Sequence, residues 1–359
     1  MTPPRRVTLQ HIATSVGLSV NTVSRALAGK SDVKEETRAM IKAEADRLGY
    51  VPNTMARSLV LGQAMTIGVV ITNPSNPFYA RMISAIEQRG SALGYSMLLM
   101  VSEENHTNEL RAVDSMRRWG VDGAVVVPVQ PEAEHWRRLM AAGTEMVLVN
   151  RDLPELDCDL VGINYEQSAY AATLHLLDTG VEQVYLLEED LKISTVHARV
   201  DGFHRALAER GVPPESVREL RVPTRRRAAN TLPWEPAEAY ELAQNLVAEV
   251  PPHSGILVGN DSFALGVYRA FSEAGRIIGE EVAVVGFGDH PFAAYLTPGL
   301  TSVRLPAEQV GAAAVDQLVA RIGRRGSAAP RARVSFPGEL VVRGSSTHRQ
   351  HAAASPGSS

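Results

Sequence analysis

Residues 7–29, from Val7 to Gly29, read VTLQHIATSVGLSVNTVSRALAG, and two short helical patterns meet in them at Gly17. In the first, Leu9, Ile12, Ala13 and Val16 recur at helical spacing behind Thr8, a residue type whose hydroxyl accepts from the orphan amides of a helix start. Gly17 reaches a positive φ without steric cost and ends that helix, Leu18 turns inward, and Ser19 is placed to cap a second one. The small side chain of Ala13 lets the two helices approach. In the second pattern Val23, Ala26 and Leu27 form the inward stripe, which leaves Val20, Asn21, Ser24 and Arg25 together on the opposite face. That spacing predicts a helix-turn-helix that offers one side-chain face to a DNA groove. Arginine can donate two bonds to guanine, asparagine can pair with adenine and valine can lie on a thymine methyl, while the hydroxyls of Thr22 and Ser24 suit phosphate oxygens. Taken alone, such a helix pair reads sooner as a packing module with an ordinary polar face. The rest of the chain reverses that preference.

The chain of 359 residues is 45% hydrophobic and 21% charged, the balance of a soluble globular protein with a small module and a larger α/β body. Its formal net charge of -4 is unevenly spread. Residues 1–62 hold nine basic and five acidic side chains, a net +4, which leaves -8 on the remainder. A basic head on an acidic body attracts phosphates locally without general stickiness. Cys158 is the single cysteine, so no intrachain disulfide forms. The start of the chain shows no apolar signal core and no run reaches membrane-spanning length, so the expectation is a cytoplasmic protein with no membrane partner.

A third helix is predicted from about Glu35 to Leu48, with Ile41, Ala45 and Leu48 inward, Gly49 closing it and Glu35 and Glu36 at its positive end. YVPN at residues 50–53 then breaks the chain, and NTMARSL, Asn53 to Leu59, offers only about two helical turns. So short a helix is marginal in water unless a partner copy and DNA order it, and a flexible linker is the competing reading.

From Thr66, short runs of Val, Ile and Leu alternate with helical stretches, the pattern of a parallel sheet covered on both faces. Strands are expected at Thr66–Thr72, Tyr95–Val101, Ala124–Val127 and Met146–Val149, and the pattern restarts after Gly162 with strands near Gln183–Leu187, Ile256–Val258 and Val282–Val285. Two successive α/β units imply two lobes with a cleft where strand ends meet. Arg221–Trp234 is an Arg-rich interruption read as a surface loop, and the small, polar residues 345–359 read as a disordered tail. The resulting division is a helix-turn-helix domain at 1–50, a hinge helix and linker at 51–64, a two-lobed domain at 65–344 and the tail.

The head, the YVPN before the hinge, the ARSL ending at Leu59 and the stretch TIGVVITNPSNPFYARM together resemble the LacI/GalR family of bacterial transcription regulators, a likeness that extends over roughly residues 5–344. The resemblance implies an all-α helix-turn-helix head followed by a two-lobed core like that of periplasmic binding proteins. By it Val20, Asn21 and Arg25 occupy base-reading positions, with Thr8, Ser19, Thr22, Ser24, Asn53 and Arg57 completing the DNA-binding set. Leu59 matches the leucine that the family pushes into the minor groove, an apolar wedge that kinks the duplex and needs two copies. It also implies three chain crossings between the lobes, with Val303–Arg324 returning to the first and a last strand near Val334–Val342 joining the second.

For the cleft, the resemblance places effector contacts at Phe78, Tyr79, Asn150, Arg151, Arg199, Asn260 and Phe287. Where the family reads G-F/Y-D followed by D or N, this chain has Gly286-Phe287-Gly288-Asp289, so the first carboxylate is missing or shifted to Asp289. Each position has an ordinary structural reading beside the functional one: an arginine at a helix start is often a surface ion pair, and Asn260-Asp261 before a helix is a common cap.

No phosphate loop, GxSxG elbow or HExxH occurs, and the ten histidines show no pair backed by cysteine or carboxylate at metal spacing. The expectation is therefore no enzyme, no cofactor and no metal, but a homodimeric regulator, most simply a repressor, whose partners are an operator in double-stranded DNA and a small-molecule effector. A solute-binding protein without a DNA role would need a signal peptide and no basic head. A two-lobed hydrolase would need paired carboxylates or a metal cluster.

Overall fold

The computed structural model describes residues 7–27, 29–30, 32–50, 63–223, 236–324 and 330–347. Two compact units meet between Ala64 and Met65. The hinge positions Asn53, Arg57 and Leu59 lie outside the described residues, as do 224–234 of the Arg-rich stretch and 348–359 of the tail.

The head holds α1 (Leu9–Val16), α2 (Val20–Leu27) and α3 (Glu35–Leu48). Gly17 and Gly49 both stand in the left-handed region at φ 68° and close α1 and α3, as their lack of a Cβ allows. Ser19 Oγ accepts the Thr22 amide at 3.1 Å and so caps α2. The Thr8 amide donates to His11 Nδ1 at 3.1 Å, a reciprocal arrangement at the start of α1. Ile12, Ala13, Val23, Ala26, Val33, Ile41 and Ala45 form one buried cluster with Leu9, Val16, Leu18, Leu27, Leu48 and Tyr50 packed at its margin. The inward stripes expected from helical periodicity are the ones that meet.

The larger unit contains two six-stranded sheets. The first runs β1 (Thr66–Ile71), β2 (Ser96–Val101), β3 (Gly123–Val126), β4 (Glu145–Val149) and β5 (Asp159–Ile163), with α4 (Pro77–Ala92), α5 (His106–Trp119) and α6 (Glu134–Ala141) between strands. The second follows as α7 (Tyr165–Asp178), β6 (Gln183–Glu189), α8 (Ser194–Glu209), β7 (Val217–Val222), α9 (Pro236–Val247), β8 (Ser254–Val258), α10 (Asp261–Glu273), β9 (Val282–Gly288) and β10 (Thr301–Arg304). Then come α11 (Ala307–Ile322), β11 (Arg333–Phe336) and β12 (Glu339–Val341). Strand order is β11-β5-β4-β3-β1-β2 in the first sheet and β12-β10-β9-β8-β6-β7 in the second. Among the described residues every strand pairing is parallel except β10 with β12. Central strands such as β1, β3, β8 and β9 are buried almost throughout, as a sheet covered on both faces requires.

Three crossings join the lobes, at Ile163–Tyr165, Arg304–Ala307 and Phe336–Glu339. The second falls after β10, so Val303 belongs to the second sheet and only α11 returns to the first lobe, where Arg321 Nε and Nη2 each reach the buried Asp159 carboxylate at 2.7 Å. The single last strand expected near Val334–Val342 is two strands: β11 pairs with β5 in the first sheet, and β12 pairs with β10 in the second. Gly338 makes the break possible, because a Cβ there would stand 2.7 Å from Ser168 Oγ and from Val303 Cγ1.

Further departures concern elements that periodicity does not reveal. β5, β7, β10 and α9 are absent from the periodicity reading, and Arg221 and Val222, read as loop, complete β7, an edge strand whose charged outer face hides its alternation. The tail boundary at 345 also moves. Ser345 and Ser346 are fully buried, with Ser345 Oγ donating to Val284 O at 2.6 Å and accepting the Thr301 amide at 2.8 Å, which fastens the chain to β9 and β10. Cys158 is buried and its thiol, pushed up to about 12 by that burial, donates to Met146 O at 3.0 Å.

Candidate functional site

On the head, Val20, Asn21, Ser24 and Arg25 are exposed on one face of α2, while Val23 and Ala26 are buried on the other. Val20 is among the exposed large hydrophobic side chains of the described residues. Arg25 pairs with Asp32, and both partners are about half exposed, so water competes for the pair and it holds little energy. Thr22 is half-buried and its hydroxyl lies 2.8 Å from Ser19 Oγ, which ties it to the cap; Thr8 and Ser19 are exposed.

In the larger unit, the carboxyl ends of the strands face one another across a cavity of about 40 Å³. That volume holds water, and a sugar-sized molecule enters only if side chains move or the lobes part. Phe78, Tyr79, Asn150, Arg151, Arg199, Asn260 and Phe287 all line it. Asp289 does not. Its backbone is left-handed at φ 45°, and its carboxylate accepts from Arg304 Nε at 2.8 Å and Arg343 Nη2 at 2.7 Å. The missing family carboxylate has therefore not moved one residue along. Gly288 itself stands at φ 131°, and a Cβ there would come within 2.7 Å of the His290 imidazole. The histidine ring occupies the space beside the glycine.

Arg199 is the centre of the cleft. Its Nε and Nη2 donate to the two Glu188 carboxylate oxygens at 2.9 and 2.7 Å, and Glu189 lies 3.4 Å away. Its guanidinium carbon sits 5.4 Å from the Tyr165 ring and 5.7 Å from the Phe287 ring, which lie nearly parallel to each other at 6.3 Å. Burial by itself pulls the guanidinium's pKa down, and Glu188, with Glu189 behind it, more than reverses that, so Arg199 stays charged. Gly259 is what admits Glu188, since a Cβ there would lie 2.2 Å from its Oε1. Arg151, also buried, donates Nη1 and Nη2 to Glu104 at 2.8 and 2.5 Å and Nη1 to Pro128 O at 3.2 Å.

Asn150 lies at φ 66° and its Oδ1 accepts the Tyr165 hydroxyl at 2.8 Å; Asn260 Oδ1 accepts the Ser262 amide at 2.9 Å and so also caps α10. Tyr165, Glu189, Thr195, His290 and Leu305 line the cavity as well. Tyr165 and Leu305 sit at two of the crossings, a topological position that carries no signal in local sequence. His197 is exposed, apart from the cleft.

Beneath the cleft, Asp261 is fully buried and accepts from Ser302 Oγ and from the His290 amide, each at 2.7 Å. Burial raises its carboxyl to about 6 in spite of those two donors. His290 is buried with neither ring nitrogen hydrogen-bonded among the described residues, and burial, with Arg81 nearby, lowers it to about 4. The two groups have opposite signs. Below pH 6.5 the unfolded chain takes up the His290 proton first, so stability is lost as pH falls toward 4; the folded chain takes up the Asp261 proton first, so stability is gained as pH falls from 6 toward 4. His290→Phe should therefore gain stability relative to the wild type by about 3 kcal/mol between pH 6.5 and pH 4. Urea denaturation across that range measures the difference, and parallel curves would show that His290 does not titrate with folding.

The sequence family described as bacterial regulatory proteins, lacI family, matches residues 8–53, and a periplasmic-binding-protein-like domain matches residues 173–346. Catabolite control protein A of Priestia megaterium is 30% identical over 313 residues, 87% of this chain and 91% of that one. The ribose operon repressor of Escherichia coli (strain K12) is 28% identical over 318 residues, 88% and 93% of the two chains. In structure, the chain resembles the Lac repressor dimer bound to operator and the anti-inducer ONPF, with a TM-score of 0.82 at 23% identity over 96% of this chain and 100% of that one, a likeness of fold. With the helix-turn-helix head matched on its own and a relative at 30% identity along nearly its whole length, the chain belongs to the lacI family of bacterial regulatory proteins.

Proposed function

We propose that the protein is a homodimeric transcriptional repressor that binds a specific operator through α2 and releases or retains it according to a small metabolite held between the lobes. The observation that carries this reading is the exposed row Val20, Asn21, Ser24 and Arg25 on a helix whose other face is buried, in a chain that continues into a two-lobed core with a lined cleft. Val20, Asn21 and Arg25 read base edges; Thr8, Ser19, Thr22 and Ser24 engage the phosphate backbone. Asn53, Arg57 and Leu59 complete the contact as the hinge, with Leu59 from each of two copies wedging one base step. The site of action is the cytoplasm.

In the cleft, both arginines are already matched by carboxylates, Arg199 by Glu188 and Arg151 by Glu104. An anionic ligand would have to displace a buried glutamate. An uncharged, polyhydroxylated ring fits better: Tyr79, Phe78 and Phe287 offer aromatic faces, and Asn150, Asn260 and His290 offer polar atoms to hydroxyls. Such a ligand favours one closure of the lobes, and a coupling of about 1 to 3 kcal/mol alters operator affinity roughly 5- to 150-fold.

The test is binding of the purified full chain to double-stranded fragments of its own genome over a range of ionic strength, with a thermal-shift screen of metabolites alongside. A specific fragment should be retained with affinity falling steeply as salt rises. Failure to hold any fragment at low ionic strength, with and without metabolites, would overturn the reading in favour of a solute-binding protein.

A further inference from the structure

A second polar cluster lies in the first lobe, away from the cleft. His106 and Glu109 stand three residues apart at the start of α5 and share one helix face, and His135, the second residue of α6, packs against them. Glu109 is wholly buried. Its Oε1 accepts the Val129 amide at 2.7 Å, while its Oε2 is 2.8 Å from His135 Nε2 and 3.8 Å from His106 Nδ1. The two imidazoles are nearly perpendicular with centres 4.9 Å apart, and the three donor atoms all lie within 4.8 Å of one another. His106 Nδ1 is buried and makes no hydrogen bond among the described residues. On its other side, His106 Nε2 is 3.0 Å from a carboxylate oxygen of Glu132.

We propose that His106 Nδ1, Glu109 Oε2 and His135 Nε2 are the protein ligands of a divalent transition cation, zinc best matching the set. Two imidazole nitrogens and one carboxylate oxygen are donors of the borderline character that zinc takes, with the remaining position open to water. Bonds of about 2.0 to 2.2 Å need ligand atoms some 3 to 3.5 Å apart, which the three reach by shifts of about an ångström. A buried His–Glu hydrogen bond alone accounts for His135 but leaves the orphaned His106 Nδ1 beside the same oxygen unexplained. The outer partners also suit a metal site: the Glu132 carboxylate lies 3.0 Å from the far nitrogen of His106, and the Val129 amide holds Glu109 Oε1 and leaves Oε2 for the ion. Binding sets the cation's charge against the buried Glu109 carboxylate. Val129 adjoins Gln130, whose Oε1 accepts the amide of Ser194, the first residue of α8, at 2.8 Å. The cation therefore stiffens the segment by which the first lobe touches the helix that carries Arg199.

The experiment is titration of the chelator-treated full-length protein with Co²⁺, followed by visible absorption, and displacement by Zn²⁺. The wild type should take up a single equivalent with the ligand-field bands of a four-coordinate nitrogen–oxygen site and should melt at a higher temperature when loaded. His106→Ala, at a partly exposed helix start, should keep the fold by circular dichroism and lose affinity at least about 100-fold, and Glu132→Gln, an exposed outer partner, should lose about tenfold. Wild-type protein that takes up no stoichiometric cobalt or zinc, or a folded His106→Ala or Glu132→Gln protein that binds as tightly as the wild type, would overturn the proposal.

Discussion

Arg199→Met should lower the unfolding free energy of the two-lobed core by about 3 to 5 kcal/mol at neutral pH, the cost of leaving a buried charge without its partner. Glu188 is 1% exposed and receives two of the arginine's N–H groups, so the truncated pair keeps a buried carboxylate that has lost both of those donors. The guanidinium also fills the space between the Tyr165 and Phe287 rings. Urea denaturation of the full chain at pH 7.5 reads the loss. A second variant separates charge from shape: with Glu188→Gln added, both members are neutral and of similar volume, and most of the stability should return. If the single change costs less than about 1 kcal/mol, or if the double variant is no more stable than the single, the pair does not hold the cleft together. In the restored double variant the metabolite response should still be absent, because the guanidinium that Arg199 presents to the cavity is gone.

Arg25→Ala should leave the head folded and relax operator recognition at one position by about 1 to 3 kcal/mol, roughly 5- to 150-fold in relative affinity. The head survives because the lost ion pair with Asp32 is exposed on both sides, and because the buried cluster of Ile12, Val23, Ile41 and their neighbours does not involve Arg25. Asp32→Asn supplies the control. It removes a carboxylate that competes for the guanidinium and repels phosphate, so binding to any duplex should tighten without a change of sequence preference. Gel-shift titrations against a panel of single-base operator variants distinguish the two. Undiminished discrimination by Arg25→Ala would take the arginine out of the reading face.

The head was legible residue by residue because its signals are local. Thr8, Gly17, Ser19 and Gly49 act within one helical turn of where they stand, and the apolar positions of α1, α2 and α3 face inward wherever the helices go. The cleft was legible in part. Seven of the eight positions expected there do line it, since strand ends of a parallel sheet collect at one edge, while Asp289 is drawn off by Arg304 and Arg343 from strands and loops remote in sequence. The same holds for β12 and for Ser345, which read as a continuous strand end and a tail until the sheet edge they fasten is known.

By itself, then, the order of residues determined the three helices of the head and the central strands of the body, that a basic three-helix head precedes a doubly wound body, and which side chains the head leaves exposed. Helical and strand periodicity, caps and charge density are short-range properties and need no partner. The tertiary structure alone decided which carboxylate meets which cation, where the chain crosses between lobes, and that His106, Glu109 and His135 share one point in space. Glu104 and Arg151 are 47 residues apart and Glu109 and His135 are 26 apart, and only the packing of parallel strands and their crossover helices brings such pairs within bonding distance.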